Sequence, residues 1–187
     1  MGLDATHPNS YHAFMNHHLF SHVDIDADNI HIPNGVAQDI AQECHDYEEK
    51  IVQVGGIDLF IGGVGADGHL AFNEPGSSLR SRTREKTLTY DTRIKNARFF
   101  SSIDEVPKTA ITVGMDTILD AREVLILVTG ENKARALHHM VEGAINTMWT
   151  SSMVQMHPNA IIVCDEDATL ELKVGTVRYF KNVELDY

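Results

Sequence analysis

The sequence predicts an α/β fold, a mostly parallel sheet with helices on both faces in a Rossmann-like arrangement, over a single domain of residues 1–187. Short, continuous apolar runs alternate with amphipathic segments along the chain, and glycines follow several of the runs. Such runs are typical of parallel strands buried on both faces, and the amphipathic segments between them predict crossover helices. The hydrophobic content of 43% and charged content of 22% suit one soluble globular domain.

Two helices are predicted before the first strand. Residues 8–22 form the first, which Asn9 or Ser10 can cap. Its apolar stripe at a spacing near 3.6 consists of Tyr11, Phe14, Met15 and Leu19. Residues 37–54 form the second, which Gly55–Gly56 ends. Its stripe consists of Ile40, Cys44, Tyr47, Ile51 and Val54.

The remaining elements alternate between strands and helices. The predicted strands are the apolar run within residues 57–65, then 111–113, 124–128 and 160–164, and the predicted helices are 133–145 and 169–180. The last helix is predicted to carry Leu170, Val174, Val177 and Phe180 on one face. In parallel sheets the chemistry collects in loops at the carboxyl ends of the strands. Three loops qualify, at residues 62–75, 129–133 and 165–168.

The loop at residues 62–75, GGVGADGHLAFNEP, is the richest in chemistry. Its glycines allow positive φ angles and close approach to a ligand. Asp67 and His69 follow the buried strand directly, and Glu74 comes five residues later. A histidine titrates near neutrality, and a neighbouring carboxylate raises its pKa and fixes its tautomer. With no Ser or Cys nucleophile in the segment GGVGADGHLAFNEP, acid–base catalysis is the favoured chemistry.

Two other interpretations of this loop stay open. Asp, His and Glu are all metal ligands, although a zinc site usually has more His or Cys at ligand spacing, so we expect no metal. A polar, glycine-rich turn without chemistry is the second alternative. Neither phosphate-loop pattern, G-x-x-x-x-G-K-[ST] or G-x-G-x-x-G, occurs, so a nucleotide is not indicated.

The charge distribution favours a small anionic ligand over nucleic acid. The formal net charge is −12, whereas nucleic-acid binding requires a positive surface. Seven of the fifteen basic residues nevertheless lie between Arg80 and Arg98. This segment predicts an anion site, with a solvated basic face as the alternative.

We expect a protein of the cytoplasm with no membrane segment and no signal peptide, because no apolar run approaches the required length. The separation of Cys44 and Cys164 favours two buried thiols over a disulfide.

Beyond these patterns, long segments of the chain resemble one enzyme family. They are GGVGADGHLAFNEPGSSLRSRTREKTL, DTR, ARFF, VPKTAITVGMDTILDAREVLILVTG and CDEDATLELKVGTVRYF. These segments resemble the glucosamine-6-phosphate deaminases, and the resemblance runs from Leu3 to near Lys181. The fold of that family is similar to that of 6-phosphogluconolactonases. The resemblance implies conversion of glucosamine 6-phosphate and water to fructose 6-phosphate and ammonia, without metal or cofactor.

The resemblance also implies roles for individual residues. His69 would assist opening of the sugar ring, with Asp67 and Glu74 orienting it. Arg98 and Lys133 would hold the phosphate of the substrate, as a guanidinium and an ammonium group can. A second phosphosugar site, for activation by N-acetylglucosamine 6-phosphate, would consist of Ser77, Arg84, Lys86, Thr87 and Tyr179. A homo-oligomer is expected, since members of the family are commonly oligomeric.

The resemblance raises one further expectation. Members of the family begin with an additional stretch that carries a phosphate-binding loop and the base that moves the proton at C2, so the chain is expected to lack its first strands. We therefore expect impaired turnover, with poor solubility or self-association through exposed apolar surface. The alternatives are a non-catalytic phosphosugar-binding module or sensor, and a lactone hydrolase on the same fold.

Overall fold

The computed structural model describes residues 1–184. The helices are α1 (Tyr11–His18), α2 (Ile40–Gln53), α3 (Tyr90–Ala97), α4 (Met115–Leu119), α5 (Ala134–Val141) and α6 (Val174–Glu184). The strands are β1 (Leu59–Gly63), β2 (Arg84–Thr87), β3 (Thr109–Thr112), β4 (Glu123–Val128) and β5 (Ala160–Cys164). Short 3₁₀ turns lie at Phe20–His22, Ala27–Asn29, Ile103–Glu105, Glu131–Lys133, Thr150–Met156 and Asp167–Thr169.

The chain divides into two compact units, each built from separate stretches of sequence. The first consists of Met1–Val54 with Thr83–Thr112, and the second of Gly55–Arg82 with the chain from Val113 onward. The sequence pattern predicts one domain over residues 1–187, and that interpretation stays a prediction. We describe each unit by itself.

In the first unit, α2 lies beside a small antiparallel pair of strands. Asp39 caps α2, accepting a hydrogen bond from the Gln42 amide at 2.9 Å. The helix ends just before Gly55 and Gly56, as predicted. These glycines have φ angles of 94° and 95°. Strand β2 pairs antiparallel with β3. The sequence pattern misses β2 because the strand, REKT, is mostly charged and contains no apolar run.

Helix α1 is shorter and less buried than predicted. Ser10 caps it, accepting a hydrogen bond from the Ala13 amide at 3.1 Å, as expected. The apolar stripe is not buried: Tyr11 and Phe14 are 62% and 52% exposed, and no residue of α1 is buried. Helical spacing predicts which residues share a face but not whether anything packs against that face.

The second unit contains a parallel sheet in the order β1-β4-β5, which confirms the predicted α/β fold with a mostly parallel sheet. One face of this sheet packs into the hydrophobic core. The core includes Val124, Ile126, Val128, Leu137 and Met140, each at most 1% exposed. Because the strands are parallel, the segments that follow β1, β4 and β5 meet at one edge of the sheet.

The opposite face of this sheet presents apolar side chains that are about half exposed. They are Ile61 of β1, Leu127 of β4 and Ile161 and Val163 of β5. The register aligns Leu125 with both Ile61 and Ile161, and Leu127 with Val163, so these side chains form one continuous surface. We call this surface the open face.

Two predicted helices have different bounds. The helix expected at residues 133–145 is α5, which ends at Val141. The helix expected at 169–180 is α6, which begins only at Val174. Of the residues predicted to share a face, Leu170 lies before the helix begins, and Leu170, Val174 and Phe180 are each at least half exposed.

Both cysteines are thiols, as predicted. The expected burial holds for Cys44 but is wrong for Cys164, which is exposed. Cys164 is the last residue of β5, where the strand reaches the edge of the sheet.

Candidate active site

The loop that follows β1 turns back on itself within a few residues. The Gly65 amide donates a hydrogen bond to the His69 carbonyl at 2.9 Å, and the Gly68 amide donates to the Gly65 carbonyl at 2.9 Å. Gly68 has a φ angle of 78°, in the left-handed region that favours glycine. This turn brings the side chains of Asp67 and His69 to the same side, although one residue separates them.

The structure brings the three predicted acid–base side chains together. Nδ1 of His69 lies 2.7 Å from Oδ1 of Asp67 and 3.4 Å from Oε2 of Glu74. The Glu74 side chain is 4% exposed, that of His69 16% and that of Asp67 39%, so Glu74 and His69 are shielded from bulk water and Asp67 is partly open to it. Because Nδ1 faces the two carboxylates, Nε2 is the ring nitrogen able to exchange a proton with a bound molecule.

The contact with His69 determines the protonation of Asp67. The hydrogen bond to the imidazole, with a smaller contribution from its charge, lowers the pKa of Asp67 to about 2, against the opposing effect of burial. Asp67 is therefore ionised at every pH near neutrality. A permanently ionised carboxylate beside Nδ1 holds the imidazole in one orientation.

Gly65 leaves room for this pair. A Cβ at position 65 would lie 2.4 Å from Cε1 of His69 and 2.5 Å from Oδ1 of Asp67, both far inside van der Waals contact. Gly68 has a similar role on the other side of the turn, where a Cβ would lie 2.4 Å from Cε3 of Trp149. The two glycines therefore fix how closely the imidazole and the indole approach the backbone.

The residue before Glu74 is also held tightly. Asn73 is fully buried, and its Nδ2 donates to the Leu70 carbonyl at 3.0 Å and to the Val113 carbonyl at 2.9 Å. On the other side, Oγ of Ser77 donates to the Glu74 carbonyl at 2.6 Å. The backbone of Glu74 is thus fixed on both sides, which limits how far its carboxylate can move from His69.

Lys133 reaches this loop from the segment after β4. Its Nζ donates to the carbonyl of Val64 at 2.7 Å, across 69 residues of sequence. Val64 is the residue between β1 and the turn that carries His69. The structure therefore brings the ammonium group of Lys133 to the same edge of the sheet as Asp67, His69 and Glu74.

Asp165 connects the predicted loop at residues 165–168 to the predicted loop at residues 129–133. Its carboxylate accepts hydrogen bonds from the Gly130 amide at 2.9 and 3.0 Å and from the Ala168 amide at 2.9 Å. These backbone donors, Gly130 first, lower the pKa of Asp165. Gly130 has a φ angle of 89° and precedes the turn that carries Lys133.

The other predicted site residues lie in different parts of the chain. Arg98 lies in the first unit, exposed at the end of α3, with its guanidinium 4.6 Å above the ring of Phe99. Arg84, Lys86 and Thr87 lie on β2, also in the first unit. Ser77 and Tyr179 belong to the second unit, where Ser77 is buried and Tyr179 is 63% exposed on α6. Their predicted roles stay predictions.

The geometry around His69 suits a proton better than a metal ion. Among the described residues, Asp67, His69 and Glu74 are the group whose ligand atoms, all within 4.8 Å of one another, could hold an ion. Ligands of a tetrahedral zinc ion lie about 3.3 Å apart, given metal–ligand distances near 2.0 Å. The 2.7 Å between Nδ1 and Oδ1 is shorter than this ligand spacing.

The sequence does not predict the uncharged residues that position the backbone of this loop and the His69 ring. Asn73 and Gly65 do not stand out, because an Asn or Gly in a glycine-rich loop has no distinctive pattern. Their contacts involve the Val113 carbonyl and the close approach of the His69 ring, which spacing along the chain does not reveal.

Comparisons with known proteins agree on one family. Residues 3–163 match the family described as glucosamine-6-phosphate isomerases/6-phosphogluconolactonase. A glucosamine-6-phosphate deaminase of Bacteroides fragilis is 62% identical over 188 residues, covering 100% of this chain and 70% of the relative. The deaminase of Borrelia hermsii is 59% identical with the same coverage.

Solved structures give the same result. A structure described as a monomeric glucosamine-6-phosphate deaminase matches with a TM-score of 0.87 and 42% identity, covering 89% of this chain and 69% of that one. A 6-phosphogluconolactonase from Trypanosoma brucei matches with a TM-score of 0.67 at 17% identity, covering 91% and 72% of the two chains. The second likeness shows the fold alone.

Proposed function

The chain belongs to the family of glucosamine-6-phosphate isomerases and 6-phosphogluconolactonases, and on that basis we propose that it functions as a glucosamine-6-phosphate deaminase. The reaction takes glucosamine 6-phosphate and water to fructose 6-phosphate and ammonia through ring opening and aldose–ketose isomerisation. The observation that carries the proposal is the position of Nδ1 of His69 between Asp67, at 2.7 Å, and Glu74, at 3.4 Å.

His69 is the group that moves the proton during ring opening. Opening a pyranose breaks the bond from C1 to the ring oxygen: the ring oxygen takes up a proton, and the C1 hydroxyl releases one as it becomes the aldehyde. With its Nδ1 proton directed at the carboxylates, the ring exchanges its second proton through Nε2. Asp67 and Glu74 stabilise the imidazolium form before transfer and hold the ring in one orientation afterwards.

The experiment measures ammonia and fructose 6-phosphate released from glucosamine 6-phosphate by the purified chain. Impaired but measurable turnover is expected, and His69→Asn is expected to reduce the remaining kcat roughly 10²–10⁴-fold, the usual value of a general acid or base. His45→Asn is the matched control, because His45 also pairs with a carboxylate, Glu49, at 3.1 Å on the exposed surface of α2. Wild-type activity is expected from this control.

The same assay separates the alternatives. Hydrolysis of 6-phosphogluconolactone in place of deamination would favour the lactone hydrolase. Binding of glucosamine 6-phosphate without turnover, with an affinity that His69→Asn leaves unchanged, would favour the non-catalytic binding module. Either outcome contradicts the proposed deaminase.

The phosphate of the substrate is proposed to bind Arg98 and Lys133. A guanidinium group forms paired hydrogen bonds to phosphate, and an ammonium group adds a point charge. Lys133→Gln is expected to raise KM for glucosamine 6-phosphate more than it lowers kcat. An unchanged KM would contradict this role.

N-acetylglucosamine 6-phosphate is proposed as an activator that binds Ser77, Arg84, Lys86, Thr87 and Tyr179. The cations Arg84 and Lys86 lie two residues apart on β2 and therefore on the same face of that strand. Lys86→Ala is expected to abolish activation while leaving the activity without activator unchanged. Lys95→Ala, which removes an exposed cation from α3, is the control and is expected to keep activation.

A homo-oligomer in the cytoplasm is proposed as the working form of the protein. The thiol state of Cys44 and Cys164 supports a reducing compartment. Among the described residues, no helix combines the length and the apolar character that a membrane span requires. Sedimentation of the purified chain at micromolar concentration measures the oligomeric state directly.

A further inference from the structure

The segment Trp149–Ser152 lies against the loop that carries His69, at the start of the 3₁₀ turn Thr150–Met156. Its residues Thr150, Ser151 and Ser152 are at most 1% exposed, which is unusual for three consecutive hydroxyl side chains. We call Trp149–Ser152 the floor segment. The hydrogen bonds of Thr150 to the His69 loop span 77 and 82 residues of sequence.

The floor segment contacts the loop at two positions that adjoin acid–base residues. The Ser151 amide donates to the Gly68 carbonyl at 2.9 Å. Oγ1 of Thr150 donates to the Asn73 carbonyl at 2.9 Å and lies 3.3 Å from the Gly68 carbonyl. Gly68 precedes His69 and Asn73 precedes Glu74, so one buried hydroxyl connects the backbones of both acid–base residues.

This arrangement bears on the distance between His69 and Glu74. Nδ1 of His69 and Oε2 of Glu74 are 3.4 Å apart, at the outer limit of a useful interaction, so a small movement of either backbone weakens it. The Thr150 hydroxyl contacts the carbonyl that precedes each of these two residues. Its position therefore constrains the separation of the two ends of the turn.

We propose that Thr150 is a positioning residue, whose hydroxyl holds Glu74 within reach of the His69 imidazole. The proposal deepens the deaminase function proposed above and depends on it for its catalytic consequence. Its structural consequence, the setting of the imidazole, does not depend on the identity of the substrate. The positioning role of Thr150 and the proposed deaminase function can therefore be tested separately.

The experiment compares Thr150→Val, which keeps the shape of the side chain and removes the hydroxyl, with Thr150→Ser, which keeps the hydroxyl. NMR of the imidazole of His69, assigned against His69→Asn, follows its tautomer and its titration without any substrate. Thr150→Val is expected to move the His69 titration curve away from that of wild type, and Thr150→Ser is expected to retain the wild-type curve. In the activity assay, Thr150→Val is expected to lower kcat roughly 10- to 100-fold with little change in KM.

Thr169→Val is the matched control for lost stability. Oγ1 of Thr169 donates to the Glu166 carbonyl at 2.7 Å, a bond of the same kind that does not involve the His69 loop. This variant is expected to lower Tm while leaving the His69 titration unchanged. If Thr150→Val does not fold, Thr150→Ala replaces it, because Ala and Ser at this position differ only by the hydroxyl.

The outcomes are distinct. A wild-type titration curve for His69 in Thr150→Val or Thr150→Ala, with only a lowered Tm, would overturn the positioning role. A shifted curve that Thr150→Ser restores supports it. Absence of ammonia release from the wild-type chain would contradict the proposed function, while the NMR comparison would still decide the role of Thr150.

Discussion

At Gly65 the backbone passes so close to the imidazole that no side chain fits. Gly65→Ala is expected to displace the His69 ring or the Asp67 carboxylate, because the added methyl would lie 2.4 Å from Cε1. A displacement of about 1 Å in a catalytic group costs on the order of 100-fold in rate, and a comparable loss of kcat is expected here. The check is kcat for glucosamine 6-phosphate.

Gly175→Ala is the control for this substitution. Gly175 lies in α6, and a Cβ there meets nothing within 4 Å. Alanine also favours a helix over glycine by about 0.5–1 kcal/mol, so Gly175→Ala is expected to keep full activity and a Tm at or above that of wild type. Wild-type kcat in Gly65→Ala would contradict the described geometry.

The Asp67 carboxylate predicts how stability depends on pH. Its pKa is about 2 in the folded chain, below the ordinary value of 3.8, so the unfolded chain binds the proton more readily. The stabilising contribution is present above about pH 4 and is lost as the pH falls towards about 2. Thermal unfolding is expected to show a shallower loss of Tm across this range in Asp67→Asn than in wild type.

Asp104→Asn serves as the control for this prediction. It removes one exposed carboxylate from the first unit, whereas Asp67 belongs to the second. If Tm depends on pH in both variants as it does in wild type, the contact of ionised Asp67 with His69 does not contribute to the stability of the fold.

At the scale of elements, the loops after β4 and β5 act together through Asp165. Asp165→Ala removes the acceptor for the Gly130 and Ala168 amides and is expected to loosen the turn that carries Lys133. Because Lys133 is proposed to bind phosphate, KM for glucosamine 6-phosphate is expected to rise severalfold with a smaller effect on kcat. Glu166→Ala, a substitution of the neighbouring exposed carboxylate, is the control, and equal KM values in the two variants would contradict the link.

Continuous apolar runs predict the strands of the parallel sheet, whereas a charged strand of the first unit escapes prediction. The runs at β4 and β5 are continuous and apolar, so their positions follow from the sequence to within one residue. Strand β2 is charged and escapes prediction, because its pairing with β3 depends on backbone hydrogen bonds rather than on apolar side chains. The sequence does predict the cluster of Asp67, His69 and Glu74, since all three follow one strand in a short loop.

The sequence does not predict the contacts between distant segments. The bond from Lys133 to Val64 and the bonds from Thr150 to Gly68 and Asn73 join residues on different elements. Each partner is a backbone carbonyl, which every residue possesses, so no residue type marks it. Such contacts follow from the packing of the whole unit.

At the scale of the molecule, the open face predicts association. Parallel sheets are normally covered on both faces, and a continuous apolar surface on a soluble protein marks an interaction site. Ile161→Lys, on the edge strand β5 of the open face and 50% exposed, is expected to reduce self-association in sedimentation experiments and to lower binding of a hydrophobic dye.

Val52→Lys is the control for the open face. Val52 is 75% exposed on α2, where its apolar side chain is more accessible than Ile161 but does not belong to the sheet. It adds the same charge to a chain of net charge −12. Equal sedimentation of both variants would show that charge, rather than the open face, controls association.

The hydroxyl of Thr150 also sets the order in which the site can form during synthesis. Thr150 follows Asn73 by 77 residues, and Lys133 follows Val64 by 69. A nascent chain that has just exposed Asp67, His69 and Glu74 therefore still lacks both anchors. Since contacts of large sequence separation form slowly, the reactive loop is expected to mature late, after the ribosome has released most of the second unit.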